Sequence, residues 1–249
     1  MGRQLPRVSE PEPPEIIEAY ATLFEGLDQL GPGSTATRQA VLAHLELPPN
    51  PTIADMGCGK GTASRELAAF LPTARITAID TQPDFVERLR SDRITPLRAD
   101  MAAPPLPPAS LDLVWCESAI YGIGRSRAFD VWHPLLRDGG LLAFSDVTWT
   151  TATPPAEARS FWADEYPAMT TPAAVIAELE AAGYQLLHHL QAPRSDWQRY
   201  YAPLRRRLAI LTPTATSPLA TVLDIMRREI AVFDHHGDSY ASTWFIARG

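Results

Sequence analysis

Apolar positions in the middle of the chain fall into short runs separated by segments with helical spacing. The runs TIADM, RITAID, ITPLRAD, LDLVWCE and LLAFSDVTW have the length and composition of buried strands. Apolar residues at helical intervals predict helices over residues 61–72, 83–92 and 126–140, the last closed by Gly139 and Gly140. Strands that alternate with helices are typical of βαβ units, so the pattern predicts a mostly parallel sheet.

The pattern changes on either side of this region. Two helices are predicted before the first strand, over residues 13–30 and 34–47, and two more after Trp149, over residues 155–167 and 171–183. A sixth strand, YQLLHHLQA, a largely helical stretch and a closing strand, YASTWFIARG, follow. A closing strand often pairs antiparallel with its neighbour. We therefore expect an α/β fold with a seven-stranded, mostly parallel sheet, an antiparallel last strand and helices on both faces.

Composition and charge narrow the functional classes. The chain has 249 residues, a net charge of −7 and 45% hydrophobic residues, which is ordinary globular composition. It has no basic stripe, so nucleic acid is not an expected partner. Cys58 and Cys116 belong to no CxxC pair or Cys/His cluster, so no metal site is expected. No apolar run reaches the ~18 residues of a membrane span and no signal-peptide core is present, so we expect a cytoplasmic protein without a membrane partner.

The stretch IADMGCGKGTA carries the candidate ligand-binding chemistry. It joins the first strand to a helix, and ligands of open parallel sheets bind at the carboxyl ends of strands. Gly57, Gly59 and Gly61 stand at alternate positions, where they allow a tight turn and let a ligand approach the main chain.

Two phosphate-binding motifs fit this stretch poorly. A P-loop would need a glycine where Ala54 stands and a serine or threonine where Gly61 stands. A dinucleotide fingerprint would need its third glycine where Thr62 or Ser64 stands. Asp55 would also repel a pyrophosphate. The pattern Asp-x-Gly-x-Gly-x-Gly fits at every position, and it suits a ligand with a positive group and no phosphate.

This stretch resembles motif I of the class I S-adenosylmethionine-dependent methyltransferases, which have a Rossmann-like sheet. The resemblance extends over most of residues 31–146. ITAID ends where that family places its ribose-binding acid, RADMAAPPLPPASLDLVWCESAIYGIG is similar to its next two motifs, and LLRDGGLLAFSD to its motif before the fifth strand. GPGSTATRQAVL, ESAIYGIG and FWADEYP are similar to segments of a subgroup of bacterial small-molecule methyltransferases.

The resemblance implies S-adenosylmethionine as the cofactor, with S-adenosylhomocysteine as its product, and a set of contacts to it. The implied cofactor-binding residues are Asp55, Gly57, Cys58, Gly59, Gly61, Asp80, Thr81, Asp100, Met101 and Glu117. Asp55 would lie near the ammonium group and Asp80 would accept the ribose hydroxyls. Asp100 and Met101 would frame the adenine. Lys60 is expected to be a solvated loop residue.

Polar groups beyond the fourth strand are candidates for contact with a methyl acceptor. Methyl transfer needs positioning and desolvation, and it needs a base only where the acceptor must lose a proton. Glu117 and Tyr121 are the candidate catalytic residues. For Glu117, a second cofactor contact fits the pattern as well as an acceptor contact or a base. His188 and His189 point to opposite faces of one predicted strand, so at most one could reach a site.

We expect residues 1–249 to form a single methyltransferase domain with residues 50–150 as its cofactor-binding half. A helical cover with aromatic residues such as Trp162 is expected to enclose the acceptor. This cover is assigned to residues 1–48, 149–170 and 193–238. The expected function is methyl transfer to a small organic metabolite. Two alternatives remain open: an enzyme of this fold that uses the bound cofactor for decarboxylation, cyclisation or rearrangement, and a non-catalytic cofactor-binding protein.

Overall fold

The computed structural model describes residues 13–86 and 89–249, which form one seven-stranded sheet and the helices around it. The strands are β1 (Thr52–Met56), β2 (Arg75–Asp80), β3 (Ile94–Arg98), β4 (Leu111–Cys116), β5 (Leu136–Trp149), β6 (Gln185–Gln191) and β7 (Tyr240–Arg248). The α-helices are α1 (Pro14–Leu23), α2 (Thr35–Leu42), α3 (Thr62–Phe70), α4 (Pro83–Val86), α5 (Arg125–Trp132), α6 (Ala156–Glu165), α7 (Pro172–Ala181), α8 (Arg194–Leu211) and α9 (Leu219–His236).

The strand order of the sheet is β3-β2-β1-β4-β5-β7-β6. The first five strands pair in parallel, whereas β7 runs antiparallel to both β5 and β6. Successive strands are added on one side of β1 and then, from β4 onward, on the other. Open α/β sheets bind ligands beside such a reversal. The predicted fold class is confirmed, including the antiparallel last strand.

Apolar residues pack on both faces of the sheet. On one face, α2 and α3 place Val41 and Leu67 in a cluster with Trp115 of β4. On the other face, α5 packs Phe129 against Phe144 of β5, with ring centroids 5.5 Å apart. A third cluster joins α1, α6, α8 and α9 around the first residue of β7. These four helices therefore form a separate apolar layer at one end of the sheet.

The helix after β4 is shorter than the sequence predicts. α5 ends at Trp132, a 3-10 turn spans His133–Leu135, and β5 begins at Leu136. The glycine pair at 139–140 therefore lies inside β5 and does not close a helix, so that prediction is wrong. The early end follows from Pro134, which has no backbone N–H and whose ring excludes a further α-helical turn.

The helix predicted over residues 83–92 is only partly described. α4 covers its first turn, and the two residues that follow α4 lie outside the described ranges; residues 89–92 are described and are not helical, so the predicted end of this helix is wrong. Across residues 13–86 and 89–249, no helix is long and apolar enough to span a bilayer.

Candidate active site

The glycine loop between β1 and α3 depends on left-handed backbone conformations. Gly57, Gly59 and Gly61 have φ angles of +69°, +51° and +75°, which L-residues with a Cβ adopt at a cost. A Cβ on Gly61 would lie 2.1 Å from Cδ2 of Leu89, and one on Gly57 would lie 2.5 Å from Cβ of Ala119. The first and last glycines are thus required both by the turn and by the close packing around it.

A cavity of about 460 Å³ opens at the carboxyl ends of β1, β2 and β4. The predicted site residues that line it are Asp55, Gly57, Cys58, Gly59, Asp80, Thr81, Asp100, Met101, Glu117 and Tyr121. Gly61 does not line the cavity, and it is the N-cap residue of α3. Residues that are far apart in the sequence therefore meet at one place, because parallel strands end at the same edge of the sheet.

Asp55 is a buried carboxyl at the floor of this cavity. Its side chain is 1% exposed, and the hydroxyl of Ser64 donates a 2.5 Å hydrogen bond to Oδ2. Burial raises the pKa of Asp55 to about 7, although the Ser64 bond opposes the shift. No basic side chain lies within ion-pair distance of it among the described residues. A buried acid in this state is suited to a cationic ligand.

Asp80 and Asp100 close turns at the cavity wall. Asp80 accepts the N–H of Gly59 through Oδ2 at 2.9 Å and that of Gln82 through Oδ1 at 3.0 Å, so it links β2 to the glycine loop. Oδ1 of Asp100 accepts the N–H of Ala102 at 2.8 Å, so both acids also serve as turn caps. Each still faces the cavity, where hydroxyl or amino donors could reach it.

Comparison with known proteins shows which family this chain is similar to. Residues 53–140, which include the glycine loop and β1 to β4, match the family described as a methyltransferase domain. A malonyl-[acyl-carrier protein] O-methyltransferase from Herminiimonas arsenicoxydans is 28% identical over 178 residues, covering 69% of this chain and 67% of that protein. A trans-aconitate 2-methyltransferase from Streptomyces avermitilis is 33% identical over 108 residues, or 40% of each chain.

Solved structures agree with this over nearly the whole chain. An S-adenosylmethionine-dependent methyltransferase from Geobacter sulfurreducens, in complex with S-adenosylhomocysteine, superposes with a TM-score of 0.78 at 18% identity, covering 92% of this chain and 97% of that one. Residues 53–140 form a methyltransferase domain, and the chain as a whole has the fold of the class I S-adenosylmethionine-dependent methyltransferases. The [4+2]-cyclase SpnF has the same fold, with a TM-score of 0.74 at 17% identity over 94% of this chain and 93% of that one, so the fold alone does not fix the reaction.

The methyltransferase holds Glu117 in a bidentate ion pair that the sequence did not reveal. Nε and Nη2 of Arg38 donate to its two carboxylate oxygens, each at 2.7 Å, and Nη1 lies 3.1 Å from Glu66. Burial raises the pKa of Glu117, and the guanidinium opposes that shift. Arg38 itself lines the cavity. Because both oxygens already accept hydrogen bonds from Arg38, Glu117 could take a proton from an acceptor only by weakening this ion pair.

The segment GPGS packs against this ion pair, whereas the sequence predicts only a turn there. A Cβ on Gly33 would lie 2.1 Å from Oε1 of Glu117, and one on Gly31 would lie 2.6 Å from Cβ of Ser118. The side chain of Gln29 donates to the carbonyls of both glycines, at 2.8 and 2.7 Å. These glycines thus bring the start of α2 close enough for its arginine to reach the cavity.

Tyr121 projects into the open volume. It lies in a 3-10 turn, Ile120–Gly122, after β4, and it is 59% exposed, while desolvation within the cavity that it lines raises its pKa. Its ring is 6.2 Å from that of Tyr166. The hydroxyl of Tyr166 donates to Asp146 at 3.0 Å, and Arg125 donates to the same carboxylate at 2.8 Å. A buried polar network therefore fixes the ring that Tyr121 contacts.

Lys60 is not the solvated residue that the sequence predicts. Its ammonium donates to the carbonyl of Phe24 at 2.8 Å and to that of Leu27 at 2.6 Å. The glycine loop is therefore tied to the turn that follows α1.

The aromatic residues of the helical layer pack mainly on one another. Trp162 is 7% exposed and lies against Trp197 and Tyr240, with ring centroids 6.3 and 5.2 Å away. From the segments that were expected to cover the site, residues 28–31 line the described cavity, and Trp162 does not. Its ring packs in the apolar core of the helical layer, and the expectation that Trp162 helps to enclose the acceptor stays a prediction. His188 stacks on His44 at 3.8 Å, and neither it nor His189 lines the cavity.

Proposed function

We propose that this enzyme transfers the methyl group of S-adenosylmethionine to a small organic acceptor bound beside Tyr121. The observation that supports it is the shared cavity, in which Asp55, Asp80 and the glycine loop form one wall and Tyr121 and Glu117 form another. The volume of about 460 Å³ lies within the usual range for small-molecule sites.

The residues present fit the cofactor group by group. A buried carboxyl that lacks a cation, Asp55, matches the ammonium, and bare backbone at Gly57 and Gly59 matches a methionyl chain that lies on it. Asp80 and Thr81 would hold the ribose. Asp100 and Met101 would hold the adenine, and Arg38 and Glu117 stand where the cofactor's amino-acid end and the acceptor would meet. The bound sulfonium supplies an electrophilic methyl group.

The protein's own contribution is positioning and exclusion of water. In-line displacement requires the acceptor atom to lie behind the methyl carbon. Tyr121 is placed to contact the acceptor, and because its pKa is raised it stays protonated and acts as a hydrogen-bond donor. Glu117, held by Arg38, would orient groups rather than remove a proton. The acceptor is therefore expected to react without a strong protein base.

The preference for a small acceptor draws on the relatives and on charge. Their names refer to malonyl-[acyl-carrier protein] and trans-aconitate, although the chain covers only 67% and 40% of the two proteins quoted. The net charge of −7 does not favour nucleic acid. The cytoplasmic location, the single-domain organisation and the assignment of the helical layer as an acceptor cover remain predictions.

Calorimetry with S-adenosylhomocysteine tests the site before any acceptor is known. The parent protein should bind it, and NAD and ATP should give no signal. Asp80→Ala should weaken binding by roughly 2–4 kcal/mol, because a hydrogen-bonded charged contact is lost. Asp138→Ala, which removes an exposed aspartate in β5, should bind like the parent. Equal binding by the parent and Asp80→Ala would place the cofactor elsewhere.

Turnover separates methyl transfer from the other chemistries of the fold. Incubation with a panel of small acceptors should yield S-adenosylhomocysteine and methylated product in equal amounts, as measured by mass spectrometry. Product formation without S-adenosylhomocysteine would instead favour the decarboxylation, cyclisation or rearrangement alternative.

A further inference from the structure

A half-buried acid in the helical layer lies outside the residues that line the cofactor cavity. Glu229 lies on α9, and the hydroxyl of Tyr201 on α8 donates to its Oε1 at 2.7 Å. Within residues 13–86 and 89–249, no lysine, arginine or histidine forms an ion pair with it. A carboxyl that is partly withdrawn from water without a cation carries a desolvation cost, which a cationic ligand would offset.

A row of aromatic rings leads away from this carboxyl. The rings of Tyr200 and Tyr201 are 5.0 Å apart, and Tyr200 stacks on Phe24 at 6.4 Å, which in turn stacks on Tyr20 at 6.4 Å. The row therefore consists of four electron-rich rings and begins at the tyrosine that is hydrogen-bonded to Glu229. Such an arrangement attracts organic cations, because aromatic faces carry partial negative charge.

The aromatic cluster adjoins the glycine loop through the end of α1. The carbonyl of Phe24 accepts from Lys60 of that loop, which itself lines the cofactor cavity. Burial raises the pKa values of Tyr121 and Tyr200, and the charge of Glu229 adds to both shifts, so Glu229 lies within electrostatic range of the cavity residue Tyr121. An acceptor beside Tyr121 would thus have its far end near Glu229.

The basic side chains of this region are already engaged. Arg38 is paired with Glu117, Arg125 with Asp146 and a second acid, and Lys60 with two carbonyls. An acceptor with several carboxylates would meet Glu229 without a described cation at hand to balance it. The charge of Glu229 therefore disfavours binding of an acceptor with several carboxylates.

We propose that the methyl acceptor carries a protonated amine, which the Glu229 carboxylate binds between the rings of Tyr20, Tyr200 and Tyr201. This inference rests on the proposed function, since it names the class of acceptor for the same site. The amine is the recognition group, and the atom that receives the methyl lies at the other end of the molecule, beside Tyr121. The recognised class is thus small organic amines rather than carboxylic acids.

Three probes of equal size test this charge preference. Binding of 2-phenylethylamine, 2-phenylethanol and phenylacetate to the enzyme saturated with S-adenosylhomocysteine is measured by calorimetry. The amine should bind at least tenfold more tightly than the alcohol, and phenylacetate should bind most weakly. Glu229→Gln should reduce the preference for the amine to within twofold while keeping S-adenosylhomocysteine affinity within threefold. Glu229→Asp, which keeps the charge, should retain the preference.

The control is Glu180→Gln, which removes a charge from an exposed position of α7 and should behave like the parent. Equal binding of the three probes, a preference for phenylacetate, no detectable amine binding, or an amine preference that survives Glu229→Gln would each overturn the inference. All of these outcomes leave the proposed function standing if S-adenosylhomocysteine still binds, whereas loss of that binding in the parent would remove the proposed function itself. If Glu229→Gln does not fold, the parent and Glu229→Asp decide the question.

Discussion

Asp55 links the protonation of one side chain to the stability of the cofactor-free enzyme. Its pKa of about 7 in the folded state exceeds the ordinary value of 3.8. The folded state therefore binds this proton more tightly than the unfolded state does. Stability from this residue is highest at low pH, begins to fall near pH 4 and is fully lost above pH 7. Burial is the main cause of the raised pKa, which Ser64 and Arg38 oppose and the charges of Glu117 and Asp80 increase.

Asp55→Asn should remove this pH dependence. The variant should gain stability relative to the parent as pH rises from 5 to 8, by roughly 3 kcal/mol, since pH 5 lies two units below the folded pKa and each unit corresponds to about 1.4 kcal/mol. Urea unfolding of both proteins without cofactor at the two pH values measures it. The same substitution should weaken S-adenosylhomocysteine binding, most strongly at pH 8. A constant difference between the two proteins across this pH range would show that Asp55 is ionised throughout.

Single residues divide into those that the sequence could reveal and those that it could not. Asp55, Asp80 and Asp100 stand at strand ends within a recognisable spacing, so their common cavity was predictable. Arg38 was not, because its partner Glu117 lies 79 positions away and only the fold brings them together. A signal did exist in GPGS, whose glycines allow close approach to β4, but a glycine-rich turn has the same appearance in sequence.

At the scale of elements, the glycine loop allows a test that separates backbone strain from crowding. Gly26 and Gly61 have φ angles of +73° and +75°, but a Cβ on Gly26 would contact nothing within 4 Å. Gly26→Ala should therefore cost about 1–2 kcal/mol of unfolding free energy, from the left-handed conformation alone. Gly61→Ala should cost roughly 1–3 kcal/mol more, because Leu89 must move. Denaturant unfolding compares them, and equal losses would mean that the region around Leu89 adapts freely.

A second element-scale prediction concerns the ion pairs that join strands and helices. Arg125→Met should destabilise the fold by about 3–5 kcal/mol, because it leaves Asp146 buried without its cation. Arg137→Met is the matched control, since Arg137 pairs with Asp112 at a half-exposed position and should cost about 0–1 kcal/mol. Thermal unfolding distinguishes the two. A small effect at Arg125 would indicate that Asp146 becomes protonated instead.

The elements themselves were largely predictable where apolar periodicity was strong. β1 and β2 have the predicted bounds, since short apolar runs between turn residues leave little choice. The boundary between α5 and β5 was missed because two glycines resemble a helix end more than the start of a long strand. Pro134 was the better signal, and it stands five residues before that pair.

At the scale of the whole molecule, the helical layer has its own core. Trp162→Ala should lower the free energy of unfolding by about 3–5 kcal/mol, because a large ring is removed from that core. S-adenosylhomocysteine affinity should stay within about threefold, since the ring does not line the cavity. Ile210→Ala, at a position on α8 that is 66% exposed, should change stability by less than about 0.5 kcal/mol. A Trp162→Ala enzyme of unchanged stability that loses turnover would place the ring in the acceptor chamber.

The sequence predicted that segments before β1 and after β5 meet over one end of the sheet, and the third apolar cluster shows that they do. It could not predict which aromatic rings face the cavity and which face one another. Both environments require large apolar side chains at helical spacing, so the two kinds of ring have the same appearance in sequence.

The position of β7 in the sheet bears on how the chain is synthesised. β7 separates β5 from β6, so among the described strands β6 pairs with β7 alone and cannot join the sheet until β7 is present. Because translation proceeds from the N-terminus, β7 leaves the ribosome after both of its partners. During that interval the edge of β5 and all of β6 have unpaired backbone groups, which is the condition under which nascent chains aggregate. Chaperone demand during translation should therefore be concentrated between the emergence of β5 and that of β7.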